Sequence, residues 1–100
     1  MYCQKGETLY VKYAWGEWST FGNYFFGPEG RGIEPLDWPD NVLKGYRHGS
    51  LIGRIGNSSL FYVGKEVLLQ TECPGNLFLR INDYRIDDNL GSTAVSIEFK

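Results

Sequence analysis

Between residues 8 and 15 the chain alternates β-branched and aromatic positions with polar ones. That is the period-two pattern of a half-buried strand, entered from a turn at Gly6, and Gly16 predicts its end or a bulge. Residues 50–56 read as a second strand whose glycines allow close packing, and Asn57-Ser58-Ser59 turns it into a third over 60–63. Residues 66–70 form another. The sequence Cys73-Pro74-Gly75-Asn76 is a strong turn signal leading into 77–82, where Leu77, Leu79 and Ile81 share one face. Residues 94–99 close the chain with one more alternating strand.

Residues 17–41 break this rhythm. Gly22, Gly27, Pro28, Gly30, Gly32, Pro35 and Pro39 forbid a continuous helix and interrupt any long strand. Such a long irregular segment in a short chain is usually functional, and its aromatics Trp18, Phe21, Tyr24, Phe25, Phe26 and Trp38 argue for order. Residues 41–46 predict one helical turn at most. Six or seven short strands with Gly/Pro turns and no amphipathic helix make an all-β domain, a sandwich or a small barrel. One hundred residues hold one such domain, residues 1–100, and one core.

Composition narrows the functions. Ten basic residues against twelve acidic ones give a net charge of −2, and the basic residues are scattered. A duplex nucleic-acid partner needs them clustered, so that class is set aside. Sixteen aromatics suit a β-rich core and also a surface that stacks sugars or bases. No stretch approaches the roughly 18 apolar residues of a membrane span. The start Met1-Tyr2-Cys3-Gln4-Lys5 has no apolar signal region, so a soluble chain without an export signal is expected, whether whole or one module of a longer protein. Cys3 and Cys73 fit a pair of free thiols at least as well as a disulfide.

The chemistry concentrates in residues 79–92. Asp83, Asp87 and Asp88 crowd into one short loop, and Asn82 and Asn89 add side-chain carbonyls. Carboxylates that close repel one another unless a cation joins them, and Ca²⁺ accepts about six to eight oxygens of mixed type. The order of residues is not that of an EF-hand. A plain Asx-rich turn has the same composition, so the ion and the turn both remain open at this point.

Several segments, taken together and in order, resemble the PA-I-type galactophilic lectins of bacteria, which bind galactose through calcium. They are Gly6-Glu7, Trp18 with Phe21-Gly22, Gly27-Pro28-Glu29-Gly30, Ile55-Gly56-Asn57-Ser58, Ile81-Asn82-Asp83 and Asn89-Leu90-Gly91-Ser92. The resemblance implies a galactose-binding-domain-like, jelly-roll β-sandwich. It also implies a calcium site with side-chain ligands Asp83, Asp88 and Asn89, a carbonyl from Phe21, and another from the loop near Asp87. Adjacent sugar hydroxyls would complete the ion's shell, with Asp83 and Asp88 also accepting hydrogen bonds from them. Glu34 and Asp37 stand where the family has a His and a Gln in contact with the sugar, and Tyr84 would shape the same pocket. The acidic loop is shorter than the family pattern, and Asp88 replaces an Asn.

The expected function is therefore a calcium-dependent carbohydrate-binding module, not an enzyme, with self-association or attachment to a larger chain supplying multivalency. The rival is a non-catalytic accessory β-sandwich with at most a structural calcium. A single-strand nucleic-acid binder lacks its basic groove. Catalysis is disfavoured by a single histidine, His48, whose loop-like setting predicts a solvated surface imidazole. Asp37 and Asp40 flank Trp38-Pro39, but nothing sets them at a glycosidase spacing.

Overall fold

A computed structural model of the chain describes residues 1–20, 24–31, 41–83 and 89–100. Among the described residues there are seven strands and no helix: β1 (Tyr2–Cys3), β2 (Thr8–Ser19), β3 (Leu51–Ile55), β4 (Phe61–Tyr62), β5 (Glu66–Gln70), β6 (Gly75–Ile81) and β7 (Leu90–Phe99). They form two antiparallel sheets, one in the order β1-β6-β3-β4 and the other β5-β2-β7. The expected all-β, sandwich-like architecture is what the chain adopts.

Alternation explains how the sheets close on each other. Leu9 and Val11 of β2 are fully buried and meet Cys3, Leu51, Ile55 and Val63 in one cluster. Val67 and Leu69 of β5, Leu77 and Leu79 of β6, and Val95 and Ile97 of β7 pack around it. Their neighbours in sequence, such as Leu68, Phe78 and Glu98, are exposed. Each fully buried aliphatic side chain contributes about 1.5–3 kcal/mol, so this period-two set supplies most of the cohesion.

Of the end or the bulge expected at Gly16, the bulge is what forms, two residues before it, and β2 does not stop there. The register with β7 shifts between Tyr13 and Trp15, which leaves Ala14 as the extra residue of a bulge, and the strand continues to Ser19. Gly16 has φ of 104°, and a Cβ there would lie 2.5 Å from the carbonyl oxygen of Ser92, so only glycine passes. Trp18 is thus a strand residue, held to Phe26 by reciprocal backbone hydrogen bonds of 3.0 and 2.9 Å.

Residues 41–46 make bends and turns, with no helical turn. β6 begins at Gly75, because Gly75 and Asn76 pair with Cys3 and Tyr2, and β7 begins at Leu90, because its first residues pair with the extension of β2. β1 is too short to show a period. Cys3 is buried, which raises its thiol pKa above the ordinary value, and Cys73 is half-buried. Both are free thiols.

Ile52 is fully buried although its cross-strand partners are Arg80 and Tyr62, which belong to the outer face of their sheet. Residues 41–47 cover that face, and the ring of Tyr46 stacks on Tyr62 at 5.0 Å. This covering segment brings the polar residues of the candidate site together. No helix among the described residues is long and apolar enough to cross a membrane.

Candidate functional site

β6 runs out at Ile81 and β7 begins at Leu90, at the same end of the sandwich. Asn82, just past β6, is fully buried and behaves as a piece of backbone. Its Oδ1 accepts from the N–H of Leu43 at 2.8 Å, while Nδ2 donates to the carbonyls of Leu43 at 3.0 Å and Arg47 at 3.2 Å. Its own N–H donates to Ser50 O at 2.7 Å and its carbonyl accepts from Gly49 at 2.9 Å. One carboxamide therefore fastens the 41–47 segment to the end of the sheet.

The next residue, Asp83, is only 2% exposed. Its carbonyl accepts from the Arg80 guanidinium at 2.8 Å, and its carboxylate Oδ2 lies 3.9 Å from Nε2 of His48. His48 is itself buried, which corrects the expectation of a surface imidazole. The reason lies in the covering segment: Nδ1 of His48 meets Oδ1 of Asn41 at 2.8 Å, and Asn41 Nδ2 donates to Tyr46 O at 2.9 Å. With the Asn41 amide so oriented, Nδ1 of His48 is the donor, and Nε2 is the ring nitrogen turned toward Asp83. At 3.9 Å the two atoms attract when the ring is charged but are too far apart for a hydrogen bond. A buried carboxylate needs positive charge or donors around it, and a protonated His48 ring would supply the charge.

Trp18 closes the arrangement from the other sheet. Its indole N–H donates to Gly49 O at 2.8 Å. Gly49 has φ of +79°, and a Cβ on it would collide with the ring of Phe26. Trp18, Arg80, Ile81, Asn89, Leu90 and Gly91 line an open cleft of about 340 Å³ between the sheet ends. Neither carboxamide atom of Asn89 has a hydrogen-bond partner, although both are buried. The same holds for the hydroxyls of Thr20 and Ser50, and register places these beside the cleft: Thr20 follows Ser19, which pairs with Leu90, and Ser50 stands opposite Asn82. Buried polar atoms are rarely left without partners; a further such hydroxyl, that of Thr71, lies at the opposite end, and of these residues Asn89 is the one that lines the cleft.

Asp83 and Asn89 of the expected ligand set stand at this one end. Phe21, Tyr84, Asp87 and Asp88 lie outside the described residues, as do Glu34 and Asp37 of the expected sugar pocket. Among the described residues no three His, Cys, Asp or Glu side chains gather to hold a metal ion. The donors that are present suit a hard cation: one buried carboxylate and one unpartnered amide oxygen. Sequence reasoning placed His48 on the surface and passed over Asn41, Thr20 and Ser50. None of them sits in a motif: the path of residues 41–50 across the sheet brings Asn41, His48 and Ser50 to this end, and the run of β2 past its bulge brings Thr20. Comparison with protein-family models and with curated proteins finds no match.

Proposed function

We propose that the chain is a calcium-dependent carbohydrate-binding module of the galactose-binding-domain-like, jelly-roll type, with its site at the end where β6 gives way to β7. The supporting observation is the Asn89 carboxamide, buried and unpartnered on the wall of the 340 Å³ cleft, a short step along the chain from the buried Asp83 carboxylate. A carboxamide offers one acceptor and two donors on adjacent atoms, and a vicinal diol presents the complementary set. Asp83 and Asn89 would hold the ion together with Asp88, the Phe21 carbonyl and the loop near Asp87. Calcium, when bound, supplies open positions for two sugar hydroxyls. Glu34, Asp37 and Tyr84 would then shape preference among sugars.

His48 and Asn41 position the Asp83 carboxylate, and Asn82 holds the segment that carries them. The test is thermal unfolding with calcium, with chelator, and with calcium plus a panel of monosaccharides. Calcium at about ten times its dissociation constant stabilises the fold by about 1.4 kcal/mol, a rise of several degrees in Tm. One sugar should raise it further. Asp83→Asn and Asn89→Ala should each abolish both increments. A calcium rise with no response to any sugar would reduce the site to a structural ion in an accessory domain, and no rise at all would overturn the ion.

A further inference from the structure

We infer that two copies of this chain pair through β7 to make one continuous six-stranded sheet. β7 runs from Leu90 to Phe99 and, among the described residues, pairs with β2 alone, which makes its other side an unpaired sheet edge among those residues. Lys100 N–H donates to Thr8 O at 2.8 Å, which makes Thr8 and Lys100 a hydrogen-bonded pair. By alternation Tyr10–Glu98 and Lys12–Ser96 are bonded pairs as well. Leu9, Val11 and Tyr13 turn their backbone groups the other way, toward β5, as the 2.7 Å bond from Tyr13 N–H to Lys65 O shows. Their partners Phe99, Ile97 and Val95 therefore point N–H and C=O away from β2, to the open edge. Thr93 and Gly91 continue the series.

Natural sheets guard such edges with proline, lysine or an inward charge. β7 has none of these, and Glu98 is its only charged residue. The strand is also complementary to itself. An antiparallel two-fold pairing must keep inner residues opposite inner ones, so it centres on a residue, and centring on Val95 uses every outward group from Gly91 to Phe99. On the inner face Val95 then meets Val95, Ile97 meets Thr93, and the half-exposed Phe99 meets Gly91, which carries no side chain of its own and has the Phe25 ring beside it. On the outer face Ser96 meets Ala94 and Glu98 meets Ser92. No like charges face each other, and the pairs on the inner face are β-branched or aromatic, the kinds that stabilise sheets.

The symmetry has a consequence for the ends of the sandwich. Antiparallel pairing sets the two Asn89 ends roughly 40 Å apart at opposite ends of the shared strand pair, so the dimer presents two clefts instead of one. The dimer itself does not depend on what those clefts bind.

Sedimentation equilibrium of the whole chain, from micromolar to millimolar concentration without calcium or sugar, tests the pairing. A reversible monomer–dimer equilibrium is expected. Val95→Pro removes an N–H that faces the open edge, leaves the β2 ladder intact, and should give a monomer throughout. Ser92→Glu, which places a carboxylate opposite Glu98 of the second copy twice per dimer, should raise the dissociation constant about fivefold, and Ser92→Lys should lower it by a similar factor. Amide exchange at Val95 and Ile97 should slow as concentration rises. A wild-type chain that stays monomeric at millimolar concentration overturns the proposal. So does a dimer that responds to neither Ser92 substitution, which also decides the matter should Val95→Pro fail to fold.

Discussion

The two ends of the sandwich are closed by different means. At the Asp83 end the covering segment, Asn82 and the Trp18 indole make a dense set of directional bonds around buried polar atoms. At the other end Ile55, Leu60 and Phe61 face Val67 and Leu69 across an open cleft of about 640 Å³, with Glu72 and Cys73 at its margin. That end stays open because β3 and β4 pair only at Ile52–Tyr62 and Gly53–Phe61, and the chain then turns away. Ile55 closes its own backbone bonds on Ser58, at 3.0 Å to the hydroxyl and 2.9 Å from the amide. One end is specified by hydrogen bonds that must all be made, the other by loosely stacked apolar side chains. Directional ends position chemistry, whereas apolar ends tolerate change.

Substitutions can break that contrast. The largest effect is expected from Asn82→Ala, which removes three hydrogen bonds at once to the part-buried backbone of Leu43 and Arg47 and should cost about 2–4 kcal/mol in denaturant unfolding. Gly49→Ala comes next, at about 2–3 kcal/mol, since it combines a positive φ with a collision against the Phe26 ring. At the open end Leu69→Ala should cost about 1 kcal/mol, against about 3 for Leu9→Ala at the centre of the same sheet, because Leu69 is only half-buried. Equal losses for Leu69 and Asn82 would erase the distinction between the ends.

The smallest effect concerns Tyr62 under the covering segment. Burial, aided by the nearby Glu29 charge, raises its pKa above the ordinary 10.0. The unfolded chain then releases this proton first as pH rises. The contribution is complete below pH 10.0 and is lost as pH climbs through the folded value, so wild type should weaken at alkaline pH slightly more than Tyr62→Phe does. Parallel Tm profiles for the two chains would show that the Tyr46–Tyr62 stack shelters nothing.

Much of the fold was legible beforehand because strands announce themselves by alternation. Leu77, Leu79 and Ile81 do share a face, and residues 66–70 form β5 as the pattern indicated. The early start of β6 and β7 was not legible, since Gly75, Gly91 and Ser92 carry no strand preference and are strand residues only because a partner lies alongside. At Gly16 the pattern left an end and a bulge both open; the bulge formed, at Ala14, because β7 runs alongside and carries the strand on to Ser19. Of the site, Asp83 and Asn89 were visible as oxygen donors near one another in sequence. His48 was misjudged because burial depends on what covers a residue, and Asn41 lies on the same covering segment.

The amino-acid sequence by itself determined that the chain is all-β, which positions face inward, and that oxygen donors gather after β6. These follow from near-neighbour chemistry: period-two burial, Gly and Pro turns, and carboxylates a few residues apart. Tertiary structure alone decided that β2 runs through its bulge, that Asn82 fastens residues 41–47 over the sheet, and that His48 turns Nε2 toward Asp83. Those outcomes depend on hydrogen bonds between residues dozens of positions apart, and no local pattern encodes which distant partner a buried polar group will find.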